Sequence, residues 1–172
     1  MSTCHTRSSL RGAAHQALLE SEEQFRTLAE TASDAIITID DRANIIFVNA
    51  GAVEMFGYSQ SEMVGQSITM LMPEEMRSMH QAGFARYRAT GRRNISWKSV
   101  ELPGRHKDGH AIQLELSFAE YNKGGKRLFT SVVRDITRRK QSEEALRESE
   151  ERYRDLFENN PFPILAEKGR LS

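Results

Sequence analysis

Apolar side chains recur along this chain with two different periods. Ala35-Ile36-Ile37-Thr38-Ile39 and Ile45-Ile46-Phe47-Val48 are short β-rich runs flanking Asp41-Arg42-Ala43, which predicts a hairpin of strands over 35–40 and 44–49. Further on, Ile112, Leu114, Leu116 and Phe118 alternate with Gln113, Glu115, Ser117 and Ala119, giving a strand with one apolar and one wet face. Mixed runs over 96–102 and 127–136 supply two more strands, and Lys107-Asp108-Gly109 and Asn122-Lys123-Gly124-Gly125 provide the turns between them. Between the two strand regions the period lengthens. A short helix over 50–56 stops at Gly57, and another over 61–64 stops at Gly65, with Ser59 and Glu62 spaced as a capping box. The clearest helix spans 73–90, with Pro73 at its start, Glu74 and Glu75 in the first turn and Gly91 at its stop. Two strands, several short helices and three strands predict an α/β (α+β) fold: a five-stranded antiparallel sheet with helices across one face.

The flanks carry a repeat. Leu18-Leu19-Glu20-Ser21-Glu22-Glu23-Gln24-Phe25 returns as Leu146-Arg147-Glu148-Ser149-Glu150-Glu151-Arg152-Tyr153, at an offset of 128 residues. Leu18 with Phe25 and Leu146 with Tyr153 stand seven apart, and Leu28 and Leu156 follow three further on, so each segment offers a narrow helical seam. Such a seam suits a parallel coiled coil between two copies of the chain, or a single helix packing on its own domain. Residues 138–155 hold six basic and six acidic side chains, enough for many local ion pairs. The resulting organisation is a disordered leader over 1–16, a flanking helix over 17–34, a core over 35–137, a signalling helix over 138–157 and the truncated start of a second domain over 158–172.

Composition narrows the function classes. The 172 residues are 38% hydrophobic and 28% charged, with 24 basic against 24 acidic side chains, so a core is affordable and no basic footprint for nucleic acid or anionic membrane exists. No apolar run approaches the roughly 20 residues of a membrane span, and the N-terminal stretch lacks the apolar segment of a secretory signal. Cys4, the single cysteine, has no disulfide partner. A cytoplasmic protein is expected. Neither a phosphate-binding glycine loop, nor a nucleophile elbow, nor the usual zinc-ligand spacing is present, so the chain is not expected to be an enzyme.

Ser33-Asp34-Ala35-Ile36-Ile37, Asn49-Ala50 through Phe56-Gly57-Tyr58, Leu71-Met72-Pro73, His106-Lys107-Asp108-Gly109 and Arg134-Asp135-Ile136-Thr137, in this order, resemble a PAS domain with its C-terminal PAC portion. The resemblance covers about residues 22–140, and the repeat from Glu150 resembles the opening of a second PAS domain. It implies a sensor or interaction module of signalling proteins such as histidine kinases, acting as a homodimer upstream of a further PAS, kinase or other output domain.

Two groups of residues then carry the functional expectations. His80 lies on the same side of the 73–90 helix as Met76, Gly83, Phe84 and Tyr87. This helix resembles that of haem-binding PAS domains in oxygen-sensor histidine kinases, which implies iron ligation by His80 and a position near the haem propionates for Arg86. The resemblance departs on the following strand, where Val100 stands in place of an oxygen-binding arginine and Trp97 is close by. The alternatives are a core histidine with satisfied hydrogen bonds in a domain without cofactor, or another small ligand. A flavin photoadduct is excluded because the domain lacks cysteine. The second group is Arg134, Asp135 and Thr137, which resembles the junction coupling the last PAS strand to the outgoing helix, with Asp135 capping that helix or pairing with an arginine. Asn49 is expected to cap the helix over 50–56. Met70, Met72, Met76 and Met79 are read as core filling, and Arg138-Arg139-Lys140 as a solvated helix start.

Overall fold

The computed structural model describes residues 4–93 and 95–158, with side chains from His15 onward except that of Leu18. Residues 1–136 and 137–172 are two separate compact units.

In the first unit, α1 (Cys4–Thr31) leads into the hairpin of β1 (Ala35–Ile39) and β2 (Ile45–Val48). Three short helical pieces follow: α2 (Ala50–Phe56), α3 (Gln60–Met63) and a 3₁₀ turn (Ile68–Leu71). Then come α4 (Glu74–Thr90) and the meander β3 (Val100–Arg105), β4 (Ala111–Lys123) and β5 (Lys126–Asp135). The five strands form one antiparallel sheet in the order β2-β1-β5-β4-β3, so the last strand pairs with the first and sits at the centre.

The alternation along β1, β4 and β5 decides which face is dry. Ala35, Ile37, Ile112, Leu114 and Val133 are buried and meet Ile45, Val48, Ala52, Phe56, Met63 and Leu71 in one cluster. The small pieces after β2 cover this face because each is stopped at once. Gly57 ends α2 in the left-handed region at φ +74°, its N–H bonded to Val53 O. Ser59 and Glu62 form the expected capping box on α3. On the opposite face Thr38 and Thr130 exchange a hydroxyl hydrogen bond at 2.8 Å. Phe47, beside Thr38 in register, meets Phe25 of α1 with ring centroids 6.5 Å apart.

Two expectations shift. α1 begins at Cys4 and not at residue 17, so helix covers most of the expected disordered leader; Ala13 and Ala14 are favourable helix formers that extend it backwards. The strand expected over 96–102 begins only at Val100 and continues to Arg105. Ser96 and Lys98 are held in a local loop by Ser96 Oγ, and Ser99 adopts φ +54°. Pro103 and Gly104 are tolerated because β3 is an edge strand, where a missing N–H leaves no neighbour unpaired. The strand candidate at Ile164 to Ala166 lies outside the described residues.

The second unit is described through α5 (Thr137–Glu158). Helix α5 buries none of its residues, while Leu146, Tyr153, Leu156 and Phe157 are 61%, 63%, 63% and 76% exposed. Among the described residues no helix is long and apolar enough to cross a membrane.

Candidate functional site

Helix α4 is unusual among the elements around the sheet because none of its residues is fully buried. It meets the sheet through rings. Phe84 packs edge-on against Phe129 of β5 with centroids 5.1 Å apart, and Tyr87 lies 6.1 Å from the same ring. Trp97, in the loop before β3, closes the group at 5.2 Å from Tyr87 and 6.4 Å from both Phe118 and Phe129. Arg93 caps the Trp97 indole with its guanidinium 3.9 Å from the ring centre. The Tyr87 hydroxyl donates to the Glu120 carboxylate, an interaction that holds the phenol above its usual pKa. Two strands, β4 and β5, thus share one aromatic cluster with α4.

His80 sits at the edge of this cluster, its ring stacked on Phe84 with centroids 5.9 Å apart. Its Nδ1 is buried and is the one buried side-chain polar atom among the described residues without a hydrogen-bond partner. A buried nitrogen left unpaired carries a desolvation cost of about 1–3 kcal/mol. Burial also pushes the imidazole below its usual pKa, so the ring is neutral and offers a lone pair. An uncharged nitrogen in apolar surroundings without a protein partner fits the proximal side of a haem iron. Arg86 is exposed, six residues further along α4. Val100 opens β3, next to the loop that carries Trp97.

Arg134, Asp135 and Thr137 stand where β5 gives way to α5. Arg134 makes a two-pronged ion pair with Asp34, its Nε donating to Oδ1 at 3.1 Å and its terminal nitrogen to Oδ2 at 2.8 Å. The Asp34 carboxylate raises the pKa of the guanidinium still further. Asp135 is the last residue of β5, and α5 starts at Thr137, which leaves Ile136 in the flanking N-terminal position. Ile136 is buried at 4% exposure and its N–H donates to Gln113 O at 2.8 Å.

Asn49 does more than the cap expected of it. Its Oδ1 accepts from Ala52 N in the first turn of α2 and from Ile36 N at the start of β1, at 3.0 and 2.8 Å. Its Nδ2 donates to Ala29 O of α1 at 2.7 Å and to Asp34 O at 3.1 Å. One fully satisfied amide, 1% exposed, therefore joins the end of α1, the entry to β1 and the start of α2. Leu28 of α1 is 71% exposed and Phe25 60%, so the seam of that helix is only partly covered by Phe47.

A strand order of β2-β1-β5-β4-β3 with the short helices inserted after β2 agrees with the comparison of sequences, in which residues 23–136 match the PAS fold family. The chain belongs to the PAS fold family. It is 36% identical over 132 residues to the sensor protein FixL of Bradyrhizobium diazoefficiens, a match that covers 77% of the chain and 26% of FixL. With the oxygen sensor protein DosP of Escherichia coli it shares 27% identity over 113 residues, 66% of the chain and 14% of DosP. The chain therefore spans about a quarter or less of the length of these relatives. Among solved structures, the PAS domain of an HTR-like protein from Haloarcula marismortui superimposes with a TM-score of 0.54 at 23% identity, over 73% of this chain and 99% of that one. That likeness supports the PAS fold itself.

Proposed function

We propose that this chain is a sensory PAS module of a cytoplasmic signal-transduction protein, of the histidine-kinase type, that passes ligand or partner state from its sheet to a dimer of its outgoing helices. Residues 35–137 form the sensing core with a PAC portion at its C-terminal end, 138–157 the signalling helix, and the repeat from Glu150 opens a second PAS domain. The observation that carries this reading is the stripe on α5: four large apolar side chains left in water on a helix that buries nothing. Such a stripe is satisfied by the same stripe of a second copy. Supporting it, Phe129 touches the rings of α4, and its strand β5 reaches α5 through the single residue Ile136. A ligand with different affinity for two arrangements of α4 on β5 shifts their populations, and a ligand that binds both equally signals nothing. Arg134, Asp135 and Thr137 are the coupling residues of this scheme, with Leu18, Phe25 and Leu28 of α1 contributing a second seam beside Leu146, Tyr153 and Leu156. Light scattering tests it. The full chain is expected at twice its monomer mass, and Leu146→Glu with Tyr153→Glu at the monomer mass; a wild-type monomer, or a dimer untouched by both charges, refutes the helix-mediated assembly.

A second reading is favoured by the unpartnered nitrogen of His80: a haem-based gas sensor in which His80 holds the iron and Arg86 pairs with a propionate. When bound, haem would supply an iron centre that takes a diatomic ligand. The chain's own residues keep the imidazole neutral by burial, stack it on Phe84 and present Trp97 and Phe129 as an apolar wall. Similarity to an oxygen sensor protein supports this reading. Adding haem to the purified chain is expected to give a Soret band that His80→Ala abolishes. A colourless wild type ends the reading and leaves the dimer proposal standing.

A further inference from the structure

The hairpin joining β3 and β4 carries a second group of ligating side chains, remote in sequence from His80. It reads His106-Lys107-Asp108-Gly109-His110 and is closed by His106 N donating to His110 O at 2.9 Å and by Gly109 N donating to His106 O at 2.9 Å, with Gly109 at φ +99°. The turn brings the alternate residues together. His106 Nδ1 and His110 Nδ1 lie 3.0 and 2.6 Å from the same oxygen of Asp108, and the two imidazoles stack with centroids 4.5 Å apart.

The orientation of His106 is set from outside the turn. A Cβ on Gly57, at the end of α2, would stand 2.3 Å from His106 Nε2, so the ring is seated on bare glycine backbone with Nδ1 left for the turn. Lys107 N donates to Phe56 O at 2.9 Å and fixes the hairpin on the same spot. The Asp108 N–H also lies 3.2 Å from His106 Nδ1, and the Asp108 oxygen that both rings approach accepts from His110 N at 3.1 Å. Two ring nitrogens this close to one carboxylate oxygen call for a positive charge between them. A proton can supply it, and so can a metal ion.

We propose that His106, Asp108 and His110 form a binding site for a divalent transition-metal ion of the zinc class, with water completing its coordination on the solvent side. All three candidate ligand atoms lie within 4.8 Å of one another. Ligands about 2.0–2.2 Å from a tetrahedral ion stand roughly 3.3–3.6 Å apart, so the nitrogen–oxygen distances of 3.0 and 2.6 Å must widen by roughly 0.3–1 Å to admit one, with loss of the long amide contact. Two imidazoles with one carboxylate suit zinc, nickel or copper, whereas calcium and magnesium favour all-oxygen sets. The bound ion would clamp the β3–β4 turn and, through Gly57 and Phe56, the end of α2.

Calorimetric titration of the full chain with Zn²⁺, in a Cys4→Ser background that removes the thiol, tests the assignment. One ion per chain is expected, with affinity reduced at least about tenfold in His110→Ala and in Asp108→Asn, and unchanged in His15→Ala and His80→Leu. Zinc is also expected to raise the thermal midpoint of the parent and not of His110→Ala; the exposed Asp108→Asn change repeats the comparison should the alanine variant lose its helical circular dichroism. No heat in the parent, or the same affinity in His110→Ala and Asp108→Asn, overturns the site.

Discussion

An Asn49→Ala variant is expected to be about 3 kcal/mol less stable than the parent chain, measured as the urea midpoint multiplied by the common slope. The size follows from what is left behind. Truncation removes the acceptor of two backbone N–H groups, at Ile36 and Ala52, and the donor to two carbonyls, at Ala29 and Asp34. Loss of an N-cap alone costs about 1 kcal/mol, and each buried group left without a partner adds about 1–3 kcal/mol unless water reaches it. Because the same amide holds the end of α1, hydrogen exchange at Ala29 to Ala35 should accelerate before that of β4. Asn49→Asp keeps the acceptor but turns a second carboxylate oxygen on the carbonyls of Ala29 and Asp34, so it should be at least as destabilising as Asn49→Ala. A loss below about 1 kcal/mol for Asn49→Ala would mean that the amide acts only as an ordinary cap.

Phe56→Ala is the other large effect, at about 3–5 kcal/mol. Phe56 is 1% exposed and is the largest fully buried side chain among the described residues. It stands where the last turn of α2 meets the sheet, with its ring near Gly104 of β3: a Cβ on that glycine would lie 3.5 Å from Phe56 Cε1. Gly104 and Leu114 already press closely there, a Cβ on Gly104 falling 2.4 Å from Leu114 Cδ1, so the surroundings have little freedom to collapse into the vacated space. Phe56→Leu should recover a large part of the loss. The measurement is equilibrium denaturation of both variants, and a cost under 2 kcal/mol for Phe56→Ala would show that the α2 end repacks.

Much of this architecture was legible in the amino-acid pattern, for reasons that differ from element to element. The alternation at Ile112, Leu114 and Leu116 marks β4 because only one face of the sheet is dry. The stop at Gly57 and the Ser59 to Glu62 capping box are local, so they survive in three dimensions unchanged. β3 was misplaced because its position at the sheet edge, which a sequence does not display, is what makes Pro103 and Gly104 acceptable. The flanking helix was begun too late because the polar side chains near the N-terminus outweighed its alanines.

The site divides along the same line. His80 could be singled out from helical spacing, yet its unpartnered Nδ1 depends on every neighbour that fails to reach it. Asn49 read as a cap because its contact to Ala52 is three residues away, whereas Ala29 and Asp34 come from further back in the chain. His106 and His110 carried no functional expectation because they lie beside a polar turn and lack zinc-ligand spacing. Their signal was there all the same: His-x-Asp-x-His across a glycine turn puts alternate residues on one side.

The Asp34–Arg134 ion pair has a topological corollary. The backbone enters the sheet beside Asp34 and leaves it beside Arg134, and those two side chains clasp each other at 2.8 Å. Everything from β1 to β5 is in effect an excursion that returns to its point of departure. Ends brought together in this way are the usual condition for a domain to be inserted into, or removed from, a longer polypeptide.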